Sequence, residues 1–314
     1  MMKTISLVIP CYFNEANLDK TYAVLKEDVL DKHPELNFEI ILVDDGSEDQ
    51  TLEKAKALQD IDSRIRVIKL SKNFGEFRAI LAGMHFAKGD AIAVMSADLQ
   101  DPPRLINDFI EHWLKGEKVV LAVRSDRNES NLKKNLAHLY YWFLRKLVLS
   151  NYPRYGFDFF LLDKQVVNVL TQMNEKNSTI YVQIIWTGFK PKLIEYTRED
   201  RQDGKSMWTY WKRINLFIDT FVVFSYKPIR FISFLGVAMS IVGFISAIYF
   251  LFERILFKTA VNGWATLIIA ILVLAGVQMI MLGIIGEYLW RNLDETRKRP
   301  IFIVDEVYES KSKD

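Results

Sequence analysis

Phe38-Glu39-Ile40-Ile41-Leu42-Val43-Asp44-Asp45-Gly46-Ser47 is an apolar, branched run that stops abruptly at two acids, a glycine and a serine. The run has the composition of a buried strand, and Asp and Gly are turn residues. The same design recurs on either side. Ile5–Ile9 runs into Pro10-Cys11-Tyr12-Phe13-Asn14-Glu15, and Arg66–Leu70 into Ser71-Lys72-Asn73-Phe74-Gly75. Ala91–Met95 runs into Ser96-Ala97-Asp98-Leu99-Gln100-Asp101-Pro102-Pro103, and Lys118–Val123 into Arg124-Ser125-Asp126-Arg127. Helical patterns fill the intervals at Asn17–Leu30, Gln50–Gln59, Glu76–Ala87 and Pro103–Leu114. Strand–helix alternation with buried strands predicts an α/β domain around a mainly parallel, Rossmann-like sheet. Ligands of such sheets bind outside the carboxyl ends of the strands. Five polar strand ends therefore describe one crevice.

The whole chain has 314 residues, 41 Lys and Arg against 39 Asp and Glu, and half its residues are apolar. That balance excludes a disordered chain and argues against a nucleic-acid partner, which needs a basic excess. A single cysteine, Cys11, excludes an internal disulfide framework and a cysteine-rich zinc site. Met1–Pro10 reads as a strand entering a motif, not as a signal peptide.

The last third is different. Phe231–Phe252 and Trp264–Gly286 contain no charge over 22 and 23 residues. As helices each reaches about 33 Å, enough for a hydrocarbon core of about 30 Å. Two transmembrane helices are expected. Lys212, Arg213, Lys227 and Arg230 precede the first, and Arg291, Arg297, Lys298 and Arg299 follow the second. The positive-inside rule then puts both termini and the N-terminal domain on the cytoplasmic side of the cell membrane. Asn131–Leu149, with Tyr140, Tyr141 and Trp142, and Trp208–Tyr226 read as amphipathic helices for the membrane interface. The expected organisation is a catalytic domain over 1–207 with an interfacial helix at 131–149, a juxtamembrane segment over 208–230, the two-helix membrane domain over 231–290, and a tail over 291–314. Two thin spans leave room for helix association and hence a homo-oligomer.

Pro10…Asn14-Glu15, Asp44-Asp45-Gly46-Ser47, Asn73-Phe74-Gly75 and Asp98-Leu99-Gln100-Asp101-Pro102-Pro103 together resemble the family 2 inverting glycosyltransferases of GT-A fold. Gly286-Glu287-Tyr288-Leu289-Trp290-Arg291 and Arg299-Pro300-Ile301-Phe302 are similar to the polyprenyl-phosphate branch, which holds the bactoprenol glucosyltransferases and the dolichol-phosphate mannose synthase-like enzymes. The resemblance implies transfer of a sugar, glucose in the nearest branch, from a nucleotide sugar such as UDP-glucose to undecaprenyl phosphate among the membrane lipids. It implies that Asp44 contacts the base with Pro10 and Tyr12, that Glu15 lies near the ribose, that Asp45 holds the ribose or orders the loop, and that Asn73 is among the nucleotide-sugar contacts. Asp98 and Gln100 are the expected ligands of Mg²⁺ or Mn²⁺, hard cations that usually take one or two carboxylates plus substrate phosphates. Ser96 stands where the family usually has a further Asp. Arg198, Arg201 and Lys205 match the family's diphosphate-binding loop, and Arg124, Arg127, Ser130 and Lys133 are placed to hold the lipid phosphate. Asp158 occupies the position of the catalytic carboxylate. Asp101 reads as a cap for the helix begun by Pro102-Pro103, and Asp163 as the start of a helix over Lys164–Asn174. Other readings are transfer to a lipid hydroxyl, a processive synthase, for which a Gln-x-x-Arg-Trp motif is missing, and a catalytically weak membrane scaffold.

Overall fold

The apolar runs form strands because their alternate side chains can be buried on two opposite faces of one sheet. The computed structural model describes residues 2–124, 141, 142, 144–146, 149–154, 156–173, 175, 178–197, 234, 236–239, 241–246, 248, 249, 252, 256 and 263–309. The chain divides into two units, one of Met1–Thr220 with Pro300–Asp314 and one of Phe221–Arg299.

In the first unit the elements run β1 (Thr4–Cys11), α1 (Leu18–Asp28), β2 (Asn37–Asp44), α2 (Thr51–Ile61), β3 (Ile65–Leu70), α3 (Glu76–Phe86), β4 (Ala91–Val94), α4 (Leu105–Leu114) and β5 (Val119–Arg124). These are the five strands and four helices that the pattern predicts, within a few residues at each end. Then come β6 (Phe159–Asp163), α5 (Lys164–Gln172), α6 (Ile180–Trp186) and β7 (Pro191–Tyr196). Asp163 caps α5 by accepting a hydrogen bond from the Gln165 backbone N–H at 2.9 Å. In the second unit α7 covers Trp264–Thr296, and the chain returns to the first as β8 (Val304–Tyr308).

The described strands form one eight-stranded sheet in the order β7-β5-β6-β4-β1-β2-β3-β8. Its centre, β4-β1-β2-β3, is parallel. The chain builds outward from β1 to β2 and β3, then crosses back to place β4 on the other side of β1. The carboxyl ends of β1 and β4 thus flank a topological switch point, where departing loops diverge and leave a crevice. The sequence pattern contained no β6. It is inserted antiparallel between β4 and β5, with Ala93 beside Leu161 and Leu121 beside Phe160.

Both faces of the sheet are covered. Ile5, Leu7 and Ile9 share one core with Leu25, Phe109 and Phe159, all at most 2% exposed. On the opposite face α3 lies so close that a Cβ on Gly83 would come within 2.3 Å of Val8 Cγ1. Beyond β3 the edge is closed by antiparallel β8. Lys69 Nζ meets Asp305 Oδ2 at 2.5 Å, and Gln59 Nε2 donates to the Tyr308 carbonyl at 2.6 Å. The tail expected over 291–314 therefore includes a strand of the sheet.

In the second unit, α7 extends past the uncharged stretch to Thr296. Its Val273–Thr296 portion has mean hydropathy 1.6 and no part buried within the protein, so it is long and apolar enough to cross a membrane. Among the described residues it is the one such helix. The expected first span, Phe231–Phe252, lies partly outside the described residues; those described there are helical. Trp208–Tyr226 lies outside them altogether. Of the expected interfacial helix at 131–149, residues 141, 142 and 144–146 are described and helical, with Trp142 45% exposed and Leu144 buried.

Phe109 sits where α4 meets β6, its ring centroid 4.8 Å from that of Phe159. Phe109→Ala is expected to cost about 3–5 kcal/mol, as large-to-small changes in a closed core do. Denaturant unfolding of the purified chain measures it, and a loss under about 1 kcal/mol would mean that this core is not closed.

Candidate active site

The loops after β1, β2 and β4 meet at the switch point. Two of them carry left-handed backbone at non-glycine residues, Phe13 at φ 54° and Leu99 at φ 55°. Such conformations cost about 1–3 kcal/mol each and persist where the surroundings impose them, commonly at functional sites. Gly46, at φ 71°, needs its glycine twice over. A Cβ there would also lie 2.6 Å from the Lys72 carbonyl carbon, because the turn after β2 packs directly on the loop after β3.

Asp44 and Asp45 are 1% and 2% exposed. Asp45 is occupied with the neighbouring loop: Oδ1 accepts the Phe74 N–H at 2.7 Å and Oδ2 the Gly75 N–H at 2.8 Å. Asp45 thereby joins the turn after β2 to the loop after β3. Burial raises its pKa to about 6, although those two N–H groups oppose the rise. Asp44 is different. Oδ1 accepts the Ser47 N–H at 3.2 Å, while the buried Oδ2 has no hydrogen-bond partner among the described residues. Burial raises this pKa too, against the opposing hydrogen bonds from Ser47. A buried acceptor in that condition suits a ligand N–H. Around it, Tyr12 donates its N–H to Asn14 Oδ1 at 2.7 Å, and Phe13 its N–H to Ser47 Oγ at 3.2 Å. Pro10 is half-buried at the end of β1, beside Val43. Glu15 and Asn73 are exposed, and Glu15 Oε2 accepts the Gln50 N–H at 2.9 Å at the start of α2.

Across the switch point, Asp98 Oδ1 accepts from Ser96 Oγ at 2.7 Å and from the Gln100 N–H at 3.2 Å. The loop is tied to α1, since Thr21 Oγ1 donates to the Ala97 carbonyl at 2.8 Å. Asp98, Gln100 and Ser96 offer hard oxygen donors, and among the described residues no group of three or more His, Cys, Asp or Glu is placed to hold a metal. The set fits a Mg²⁺- or Mn²⁺-like cation that takes its other ligands from substrate phosphates and water.

The third cluster comes from β6. Because β6 runs antiparallel, its first residues, not its last, lie at the carboxyl ends of β4 and β5. Phe157 and Phe159 are buried on either side of Asp158 and fix its direction. Asp158 forms an ion pair with Arg124, at the end of β5. Arg124 is paired in register with Tyr196 of β7, and Tyr196 donates its hydroxyl proton to Asp101. Burial alone would lower the Arg124 pKa; Asp158, Tyr196 and Asp101 outweigh it and hold the guanidinium charged. Asp101 is thus not the expected helix cap. It is 2% exposed, and α4 starts later, at Leu105, with no side-chain cap. The two prolines place α4's first turn beyond the acid, which turns inward to Tyr196. Tyr196 belongs to none of the sequence motifs. The signal available was Pro191–Tyr196 as a short strand, but no sequence pattern gives the register that sets Tyr196 beside Arg124. Arg127, Ser130, Lys133, Arg198, Arg201 and Lys205 lie outside the described residues.

Residues 6–175 match the profile of Glycosyl transferase family 2. The chain is 38% identical over 304 residues to the uncharacterized glycosyltransferase YkcC of Bacillus subtilis (strain 168), covering 96% of this chain and 94% of the relative. It is 34% identical to the prophage bactoprenol glucosyl transferase homolog of Escherichia coli (strain K12), over 96% and 99% of the two chains. Identity to the bactoprenol glucosyl transferase of Shigella phage SfV is 32%, over 96% and 97%. Among solved structures, glucosyl-3-phosphoglycerate synthase from Mycobacterium tuberculosis in complex with Mn²⁺ and UDP-glucose is 15% identical, with a TM-score of 0.47 over 65% of this chain and 72% of that one.

Asp45 makes the site's stability depend on pH. Folding raises its pKa from 3.8 to about 6, so the folded chain holds this proton more tightly than the unfolded one. Its contribution is greatest at acid pH and declines as pH rises through about 4 to 6, by about 3 kcal/mol in total. Asp44 acts in the same direction, so Asp45→Asn isolates the share of Asp45. Unfolding free energies measured from about pH 4 to pH 7 should fall less steeply in the variant; parallel curves would remove Asp45 from the account.

Proposed function

The chain belongs to glycosyl transferase family 2, and from that premise we propose that it transfers glucose from UDP-glucose to undecaprenyl phosphate, with inversion, at the cytoplasmic face of the cell membrane. The observation that carries this reading is the extent of the likeness. Identity to the proteins named bactoprenol glucosyl transferase runs over 96% of this chain and nearly all of theirs, so it takes in the apolar last third as well as the crevice.

The chain's own residues divide the work. Asp44 Oδ2 accepts the uracil N3–H, beside the backbone of Pro10 and Tyr12, and Glu15 faces the ribose. Asp45 keeps the Asn73-Phe74-Gly75 loop against that pocket. Asp98 and Gln100 would hold the divalent cation, with Ser96 orienting Asp98, and a cation there would supply positive charge against the diphosphate. Arg198, Arg201 and Lys205 complete the diphosphate site, Arg201 stabilising the leaving group. Arg124, Arg127, Ser130 and Lys133 receive the lipid phosphate. A phosphate oxygen attacks the anomeric carbon, the bond from that carbon to the diphosphate oxygen breaks, and its electron pair leaves with UDP. A phosphate monoester has a second pKa of about 6 and is largely dianionic at neutral pH, so no strong base is needed. Asp158, paired with Arg124, orients the acceptor, and the protein contributes position and charge stabilisation.

Two spans accord with the topology. Residues 300–314 belong to the same unit as the N-terminal residues, the return that an even number of crossings would give, and α7 is one candidate span.

Incubation of the purified chain with radiolabelled UDP-glucose, Mg²⁺ or Mn²⁺ and undecaprenyl phosphate should give an acid-labile glycosyl phospholipid. Absence of product with any nucleotide sugar would overturn the reading, and a long polymer would replace it with a synthase. Asp98→Ala should lower turnover by about a hundredfold or more, and wild-type, metal-dependent turnover in that variant would dismiss the metal assignment. Asp44→Ala should raise the donor KM about tenfold with a smaller change in kcat; steady-state kinetics at varied donor concentration tests it.

A further inference from the structure

We propose that Tyr196 is a positioning residue that holds the Arg124 guanidinium against Asp158, through a hydroxyl bridged to the buried Asp101. The inference rests on the glycosyl transfer proposed above.

Four side chains from four parts of the chain form one connected path. Asp101 comes from the loop after β4, Arg124 from the end of β5, Asp158 from the entry to β6 and Tyr196 from the end of β7. Tyr196 Oη donates to Asp101, Tyr196 stands beside Arg124 in register on the neighbouring strand, and Arg124 donates through Nη2 to Asp158 Oδ2. Exposure grows along the path: Asp101 is 2% exposed, Tyr196 6%, the Arg124 side chain 13% and the Asp158 side chain 41%. The path is anchored in the interior and opens at the crevice.

Arg124 stands between two carboxylates. A guanidinium is drawn to the more deeply buried acid, where its attraction is least screened. The phenol prevents that collapse, because it satisfies Asp101 with its own proton and presents only a neutral oxygen to Arg124. The cation is left directed outward, to Asp158. The ring of Tyr196 also belongs to the hydrophobic core, but packing needs no hydroxyl. Burying a phenol, an acid and a guanidinium together is costly unless each satisfies another, and a core of equal volume could be built without them. Asp101 lies three positions after Asp98, so the same path fixes the loop that bears the metal ligand.

The test compares steady-state kinetics of wild type and Tyr196→Phe with UDP-glucose and undecaprenyl phosphate. The variant keeps the ring and removes the bridge. Expected is a kcat lower by about tenfold to a hundredfold, with the donor KM changed by less than about twofold, since Asp44 and its pocket are untouched. In an Arg124→Lys background the same change should add less than about twofold, because the group being positioned is already altered. If Tyr196→Phe does not fold, Tyr196→Met, which also fills the space with apolar atoms and lacks the hydroxyl, carries the same expectation. An unchanged kcat, or losses that multiply independently in the two backgrounds, overturns the positioning role and leaves the parent reading standing. A wild-type protein that makes no glycosyl phospholipid overturns the parent reading and this one with it.

Discussion

A carboxylate taken out of water costs several kcal/mol unless hydrogen bonds or an opposite charge replace its hydration. The site of this protein holds three such groups, Asp44, Asp45 and Asp101, with the less buried Asp98 and Asp158 beside them. Asp45 is satisfied by two backbone N–H groups of the next loop, and Asp101 by the Tyr196 hydroxyl. Asp158 is paired with Arg124, and Asp98 accepts from Ser96 and the Gln100 backbone. The partners of Asp45, Asp101 and Asp158 lie in other segments, so keeping these acids satisfied ties the crevice together, while those of Asp98 order its own loop. Asp44 is the exception, with one buried oxygen left without a partner among the described residues. The acids that are fully engaged hold the frame, and the one that is half engaged is suited to the ligand.

The sheet makes this arrangement possible. Reversal of direction between β3 and β4 opens the space into which the loops after β1 and β4 fall. Antiparallel β6 then inserts a strand entry among strand exits, which is how Asp158 reaches Arg124 from 34 positions away in the sequence. A further parallel strand would have carried that acid to the opposite end of the sheet. The far edge is finished by β8, whose pairing with β3 satisfies backbone groups that would otherwise be exposed for association.

The departure at Ser96 also becomes intelligible. Where a second acid would place like charges beside Asp98, the serine hydroxyl donates to it. Asp98 is oriented at the expense of negative charge, so a cation held there as proposed would draw more of its neutralising charge from substrate phosphates.

Patterning by itself determined the five parallel-type strands, their helices, the apolar last third and the motifs at the strand ends. These are local properties, fixed by burial period, turn chemistry and runs of uncharged residues within single contiguous stretches. Phe159–Asp163 and Pro191–Tyr196 escaped it: the first is too short and apolar to distinguish from a helix edge, and the second alternates weakly at an edge of the sheet. Only the tertiary structure decided that β6 runs antiparallel, that the C-terminal tail closes the sheet, and which acid meets which partner. Asp101 shows why. Its sequence neighbours advertise a helix cap, yet the fold turns this buried acid to a side-chain hydroxyl, and that donor is a tyrosine 95 residues away.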